Sequence, residues 1–291
     1  MQTETSSAPH WKAATNSVLA PVFAAKRLGL ITDMDGTISH LAETPEAAVV
    51  TPRNRQLMGT IVLMLPLVAA ISGRSARDLQ ARIAVSGVVY IGNHGLERWH
   101  NGGRVLNEHV RQYRKALTAA LDEIRPHLTI GMWIEDKYAT ASIHYRLTPR
   151  PEKAAETLEP LVREVVTKHG LAMNKGRALY EVRPPIEANK GTALAELVRE
   201  HELDGVIYIG DDITDVDAML MARKLRDLTG LDAINVGVVA NPPEKCNEIE
   251  QAVRNASDVI VSGVHDVEAF LGWLLEALSK KNESLEDEQS E

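Results

Sequence analysis

The chain has 291 residues, 44% of them hydrophobic and 25% charged, enough to bury one large core or two ordinary ones. Its formal net charge of -8 argues against the broad basic face that nucleic-acid binding requires. A small phosphorylated ligand remains compatible with that charge, because a few local cations and a metal ion can reverse the field at one point. The single cysteine, Cys246, has no partner for an internal disulfide and no second thiol for a metal knuckle, so it reads as a reduced thiol without function.

Residues 1 to about 25 are polar and rich in Ser, Thr and Ala, compatible with a flexible lead or a short packed helix. They lack the basic start and clean apolar centre of a signal peptide. The longest apolar stretch, Ile61 to Ile71, is too short to span a bilayer and is broken by Pro66. A cytoplasmic protein is expected, with neither membrane nor nucleic acid as partner; monomer and weak oligomer are equally compatible. Next, Leu28 to Thr32 reads as a buried strand that stops at Asp33. "PRNRQLMGTIVLM" starts with a proline suited to a first helical turn. "LVAAIS" then reads as a strand, "SARDLQARI" as a helix and "GVVYIG" as a third strand.

The middle differs. "EHVRQYRKALTAALDEI" spaces Val110, Tyr113, Leu117, Leu121 and Ile124 as a helix does. "MWIEDKYATASIHYRL" predicts two strands around a turn near Asp136, with Ala141, Ile143 and Tyr145 on an apolar face and Ser142, His144 and Arg146 on a polar one. A helix carrying Leu158, Leu161, Val162 and Val165 precedes a strand in "GRALYEVRP". Beyond it, "GTALAELVRE" and "VDAMLMARKL" are helical, while "GVIYIG", "AINVGVV" and "SDVIV" are strands. Strands separated by helices predict a parallel sheet covered on both faces. The α+β middle reads as an insertion, giving a discontinuous core of 1–103 plus 185–291 and an inserted unit of 104–184. The charged end, "KKNESLEDEQSE", is expected to be disordered from about 280.

Ligands of a parallel sheet bind beyond the carboxyl ends of its strands, and four chemically loaded segments converge there: "DMDGT", "SGRS", "NKG" and "GDDITDVD". In the first, Asp33 and Asp35 face one site and are tolerable together if a divalent cation neutralises them. Asp33 is then a candidate nucleophile on phosphorus, and Asp35 a candidate acid and base. Gly36 lets the backbone turn closely and expose amides to phosphate oxygens, and Thr37 offers a hydroxyl. Ser72 can hold a phosphate oxygen, with Gly73 an ordinary turn residue beside it. Lys190 starts a helix, where the dipole disfavours a cation, so a nearby anion would explain it. Asp211, Asp212, Asp215 and Asp217 crowd the end of a strand and suggest Mg2+, since no suitably placed Gly and Glu complete a Ca2+ loop.

These segments, in this order, resemble the haloacid dehalogenase superfamily, through Asp33, Asp35, Gly36, Thr37, Ser72, Lys190, Asp211 and Asp212. The second acid, Asp35, points to its phosphatases and phosphomutases. "SGR", "GNHGLE", "WIEDKYATASIHYR", "GRALYEVRP", "NKGTAL" and "GDDITDVDAM" narrow the resemblance to the trehalose-6-phosphate phosphatase family, over roughly residues 28 to 272. The resemblance implies an α/β fold with a Rossmann-like parallel-sheet core and a smaller inserted α+β cap. It implies Mg2+-dependent hydrolysis of trehalose 6-phosphate, with Asp33 as nucleophile and Asp35 as acid and base. Gly36, Thr37, Ser72, Gly73 and Lys190 would hold phosphate. Asp33, the Asp35 carbonyl and Asp211 would hold Mg2+, backed by Asp212 and Asp215. In the cap, Glu135, Lys137, Arg177 and Glu181 match the positions expected to contact sugar hydroxyls.

Departures are local: Ile38, Ser39 and His40 stand where the family usually has Leu and then Pro, and Val216 and Met219 replace an acid and an aromatic. None removes a catalytic group. His94 and Glu97 lie in a family-like phrase without an assigned role. The alternatives are a phosphatase for sucrose 6-phosphate or mannosyl-3-phosphoglycerate, a phosphomannomutase, or a non-catalytic sugar-phosphate-binding module. The last would typically have lost Asp33, Asp35 or Lys190, and all three are present.

Overall fold

Leu28–Thr32 forms β1 with all five positions buried, the pattern of a strand covered on both faces. The computed structural model describes residues 8–100, 102–242 and 245–290. After β1 come α1 (Pro52–Ile61), β2 (Leu67–Ile71), α2 (Ala76–Ile83) and β3 (Val89–Gly92), then a hairpin of β4 (Glu97–His100) and β5 (Gly103–Leu106). The middle of the chain contributes α3 (Arg114–Ile124), β6 (Trp133–Asp136), β7 (Ala141–His144), α4 (Pro151–Lys168), β8 (Ala172–Gly176) and β9 (Leu179–Arg183). It is followed by α5 (Lys190–Glu200), β10 (Gly205–Gly210), α6 (Ile213–Thr229), β11 (Asp232–Val238), α7 (Glu248–Ala256), β12 (Val259–Val261) and α8 (Val264–Ser290).

The larger sheet has the order β12-β11-β10-β1-β2-β3-β4-β5. Its first six strands are parallel and the β4–β5 hairpin is antiparallel. Alternation sends Leu30 of β1 into one apolar layer, with Leu57, Met58 and Phe270, and Ile31 into the other, with Leu194, Tyr208 and Met219. Each such fully buried aliphatic side chain contributes roughly 1.5–3 kcal/mol relative to leaving it in water. β1 sits between β10 and β2, so its carboxyl end opens at the centre of the sheet.

The second sheet, of order β6-β7-β9-β8, is antiparallel throughout. One face packs on α3 and α4 through Leu117, Leu121, Ile143, Leu158, Val162 and Tyr180. All four residues of β7 are buried, Ser142 and His144 included. Ser142 and His144 line the cleft between the two sheets, together with residues of the larger one.

Two sequence readings change, and one left open is decided for residues 8–25 in favour of short packed helices. The larger sheet continues past residue 103 to Leu106, because the β4–β5 hairpin extends it rather than opening the insertion. Within the N-terminal lead, residues 1–7 lie outside the described residues. The part that follows is two short 3-10 helices, Trp11–Ala13 and Pro21–Ala24, anchored by Trp11 against Phe270 and Trp273 of α8. The segment from about 280, expected to be disordered, continues α8 to Ser290. Its Lys, Glu, Leu and Gln residues are good helix formers, and Lys281 Nζ donates to the Ala25 carbonyl at 2.6 Å. No helix among the described residues is long and apolar enough to cross a membrane.

Candidate active site

The carboxyl ends of β1 and β10 bring together acids from distant parts of the chain. Lys190 Nζ, at the start of α5, lies 3.0 Å from Asp33 Oδ1 and 2.7 Å from Asp215 Oδ1. Asp215 also accepts from Tyr208 Oη and from the backbone amides of Asp211 and Asp212. Thr37 Oγ1 donates to Asp211 Oδ1 at 2.8 Å. Gly36 makes this approach possible: it has φ +85°, and a Cβ there would meet Asp211 Oδ2 at 2.0 Å.

Asp33, Asp211 and Asp215 each offer an oxygen within 4.8 Å of the others. Burial pushes the Asp33 carboxyl up to about 7; Lys190 pulls it down, and Asp215 and Asp35 push it up. Burial, then Asp33 and Asp215, hold Asp211 well above the ordinary carboxylate range. Lys190 is raised despite its burial, because Asp215 and Asp33 favour its charge. One ammonium facing this group leaves surplus negative charge. An all-oxygen donor set of that kind fits a hard divalent cation such as Mg2+.

Asp35 is gripped from the side. Arg74 donates Nε to Asp35 Oδ2 at 2.6 Å and Nη2 to Oδ1 at 2.9 Å. The same guanidinium reaches Asp78 at 2.7 Å and the Pro45 carbonyl at 2.9 Å, and Arg82 braces Asp78 from the next turn of α2. Ser72, buried at the end of β2, accepts from the Arg74 amide at 3.2 Å. Behind this loop, the Asn93 amide donates to the Arg74 carbonyl, the His94 amide to the Ser72 carbonyl, and the Ala76 amide to Glu97 Oε1. Glu97 thus holds the start of α2, and burial raises its carboxyl.

The second sheet faces these groups across a cleft of about 1060 Å³. Lys137 Nζ donates to the Gly73 carbonyl at 2.8 Å and to Glu181 Oε1 at 3.2 Å. Burial alone would raise Glu181, but Lys137, then His94 and Arg183, outweigh it and the net shift is downward. Glu135 pairs with His144 Nε2 at 2.9 Å, and that imidazole stacks on Trp133 with centroids 4.4 Å apart. Arg177 lies at the exposed rim of the cleft, where its carbonyl accepts from Arg146. His94 sits between the halves, 3.8 Å from Glu181, and burial drives its imidazole down to about 4.

Asp33, Asp35, Gly36, Ser72, Gly73, Lys190, Asp211 and Asp212 therefore line one cleft with Glu135, Lys137, Arg177 and Glu181. Thr37 and Asp215 lie just beneath its surface, fully buried. Asp212 caps α6, accepting from the Ile213 amide, and stands apart from the three-acid cluster. Sequence reasoning gave no role to Arg74, Tyr208 or Asn93. Arg74 lies within the quoted "SGR" word, whereas Tyr208 reads as an ordinary strand residue.

Comparison with known proteins agrees with this geometry. Of the solved structures, the C-terminal domain of C. albicans trehalose-6-phosphate phosphatase superposes with a TM-score of 0.72 at 20% identity, covering 92% of this chain and 98% of that one. A haloacid dehalogenase-like hydrolase from Bacteroides thetaiotaomicron superposes with a TM-score of 0.58 at 16% identity, covering 87% and 98%. The fold is that of the haloacid dehalogenase-like hydrolases. The trehalose-phosphatase family model matches residues 31–247, and the chain belongs to that family. A trehalose-phosphate phosphatase of Mycobacterium tuberculosis is 31% identical over 208 residues, 69% of this chain and 52% of that protein. Trehalose-phosphate phosphatase B of Arabidopsis thaliana is 28% identical over 216 residues, 68% and 57%. The chain thus spans about half the length of these curated relatives.

Proposed function

We propose that the protein is a Mg2+-dependent phosphatase that hydrolyses trehalose 6-phosphate to trehalose and phosphate, the last step of trehalose biosynthesis, in the cytoplasm. One observation carries this reading: the acid-and-lysine cluster at the ends of β1 and β10 faces Glu135, Lys137 and Glu181 across a single cleft. The first group suits a phosphoryl centre, the second a set of sugar hydroxyls. In this reading the residues up to Leu106 and those from 185 onward form the core, and 107–184 the cap. Buried hydrogen-bonding groups in the cap reject sugars that leave them unpaired.

Asp33 attacks phosphorus in line, forming an aspartyl-phosphate as the bond to the sugar oxygen breaks. Asp35 gives that oxygen a proton. It then takes one from the water that attacks the aspartyl-phosphate, which frees phosphate and restores Asp33. Both Asp35 oxygens are bonded to Arg74, so one must come free for either transfer. Lys190 holds Asp33 for attack and offsets charge on the phosphoryl oxygens, which Ser72 and the Gly73 amide also contact; Thr37 and the Gly36 amide, expected to join them, are instead spent on Asp211 and on the Ser39 carbonyl. Asp33, the Asp35 carbonyl and Asp211 would hold Mg2+, which supplies charge neutralisation at the phosphoryl oxygens. Asp215 acts from behind, its oxygens already taken by Lys190, Tyr208 and two amides.

The test is phosphate release from a panel of phosphorylated sugars, with and without Mg2+. Trehalose 6-phosphate should be preferred, and turnover should vanish with chelator. Preference for sucrose 6-phosphate or mannosyl-3-phosphoglycerate would move the assignment to another sugar phosphatase. An isomeric sugar phosphate with little free phosphate would make it a mutase.

A further inference from the structure

The turn between β6 and β7 seats part of the smaller unit against the larger. Ala139 is buried among Leu96, Val110, Leu106, Ile186 and Ala188. Four of these five residues lie on or beside the two segments that join the units, after β5 and after β9. Tyr138 is clasped by Arg104 and Arg114, whose guanidinium carbons lie 3.6 and 4.8 Å from its ring centroid. Thr140 is fully buried and donates Oγ1 to Asn93 Oδ1 at 2.7 Å. Asn93 is fully buried too, and its Nδ2 donates to the Lys137 carbonyl at 3.4 Å.

Asn93 carries this contact in a costly conformation. It and His94 are consecutive non-glycine residues with φ of +50° and +55°. Asn tolerates the left-handed region better than most residues. The same two residues hold the phosphate loop through the carbonyls of Arg74 and Ser72. One short turn thus touches the loop that carries Ser72 and, by its side chain, the turn that carries Lys137. The Lys137 ammonium closes the circuit on the Gly73 carbonyl.

We propose that Asn93 is a positioning residue, a buried pin at the hinge end of the cleft that sets Lys137 in register with the Ser72–Arg74 loop. The inference rests on the phosphatase reading above and deepens it. Neither Asn93 nor Thr140 lines the cleft, so both act on the reaction only through Lys137 and the loop. A dry side-chain pair of this kind is rigid because neither partner can exchange its bond for water.

The experiment compares wild type, Thr140→Val, Asn93→Ala and the double variant on trehalose 6-phosphate and on p-nitrophenyl phosphate, which has no sugar for Lys137 to read. Thr140→Val keeps shape and backbone, so it tests the pin even if Asn93→Ala folds poorly. Each single variant should lose about ten-fold or more in kcat/KM on trehalose 6-phosphate, mainly in KM, and the double variant should lose no more than the worse single. On p-nitrophenyl phosphate Thr140→Val should stay within about two-fold of wild type. Parallel losses on both substrates, or unchanged sugar-phosphate kinetics in Thr140→Val, would overturn the proposal. If wild type prefers another sugar phosphate, the substrate reading fails and the same comparison runs on that sugar. Amide exchange at Lys137 and Ala139 gives a readout independent of substrate: it should rise in both single variants, and no rise would overturn the pin.

Discussion

Arg74 holds both oxygens of Asp35 in a two-bond fork, at 2.6 and 2.9 Å, while its third nitrogen is tied to Asp78. The fork fixes where the carboxylate points, and a lysine cannot reproduce it. Arg74→Gln should lower kcat on trehalose 6-phosphate by about 10–100-fold, and Arg74→Lys by an intermediate amount. Steady-state kinetics on folded variants decides it; a lysine variant equal to wild type would show that charge alone suffices.

Divalent-cation binding should be visible without turnover. Saturating Mg2+, at about a hundred times its Kd, should stabilise wild type by roughly 2.7 kcal/mol, a melting shift of several degrees. Asp211→Asn should lose most of that shift, since Asp211 belongs to the three-acid cluster. Asp33→Asn should fold normally and lose about a thousandfold or more in kcat. Thermal scans with and without the ion, beside the kinetics, check both statements; an Asp211→Asn protein with the full shift would place the ion elsewhere.

Sugar reading should separate from phosphate chemistry. Lys137→Met removes the donor that reaches both Gly73 and Glu181, and leaves the Glu181 carboxylate buried with less compensation. A rise in KM for trehalose 6-phosphate of about 10–100-fold is expected, with a smaller rise for Glu181→Gln. Hydrolysis of p-nitrophenyl phosphate is the control, and comparable losses on both esters would refute a sugar-reading role.

His94 gives the stability curve a definite sign. Its imidazole takes a proton near 6.5 when unfolded but only near 4 when folded, because it is buried beside Lys190, Lys137 and Arg183 and only Glu181 opposes them. Between those values the unfolded chain binds more protons, so falling pH favours unfolding. The loss reaches about 3 kcal/mol at most by pH 4. His94→Gln cannot titrate and should lose less stability than wild type between pH 6.5 and 4. Denaturant melts across that range measure it, and parallel curves for the two proteins would remove His94 as the cause.

Much of the fold was readable because buried parallel strands announce themselves. β1 and β10 were predicted with the boundaries they have, as short apolar runs ending at loaded loops. The four segments around Asp33, Ser72, Lys190 and Asp211 were readable for the same reason: each follows a strand or starts a helix. The Arg74–Asp35 fork was not, since it joins residues 39 apart whose meeting depends on the sheet order β1-β2. β8 was missed because its Asn174, Lys175 and Gly176 are exposed and carry no apolar alternation. At the end of α8 the charge argues for disorder, but helix propensity and docking of the preceding turns decide. The polar face read for β7 lines the cleft through Ser142, His144 and Arg146.

The sheet order also governs when this chemistry can first exist. Thr37 and Asp211 are 174 residues apart, and β1 must wait for β10 before its inner edge is paired. At about 5–20 residues per second of synthesis, roughly ten to thirty-five seconds separate the emergence of Asp33 from that of its acidic neighbours. A ribosome-bound chain holding only the first half has Asp33 but no Lys190, no Asp211 and an open strand edge beside it. Biosynthesis itself is therefore a timer: the acid-and-lysine cluster stays incomplete, and the β1 edge most exposed to misassociation, until Lys190 and β10 have followed the inserted unit.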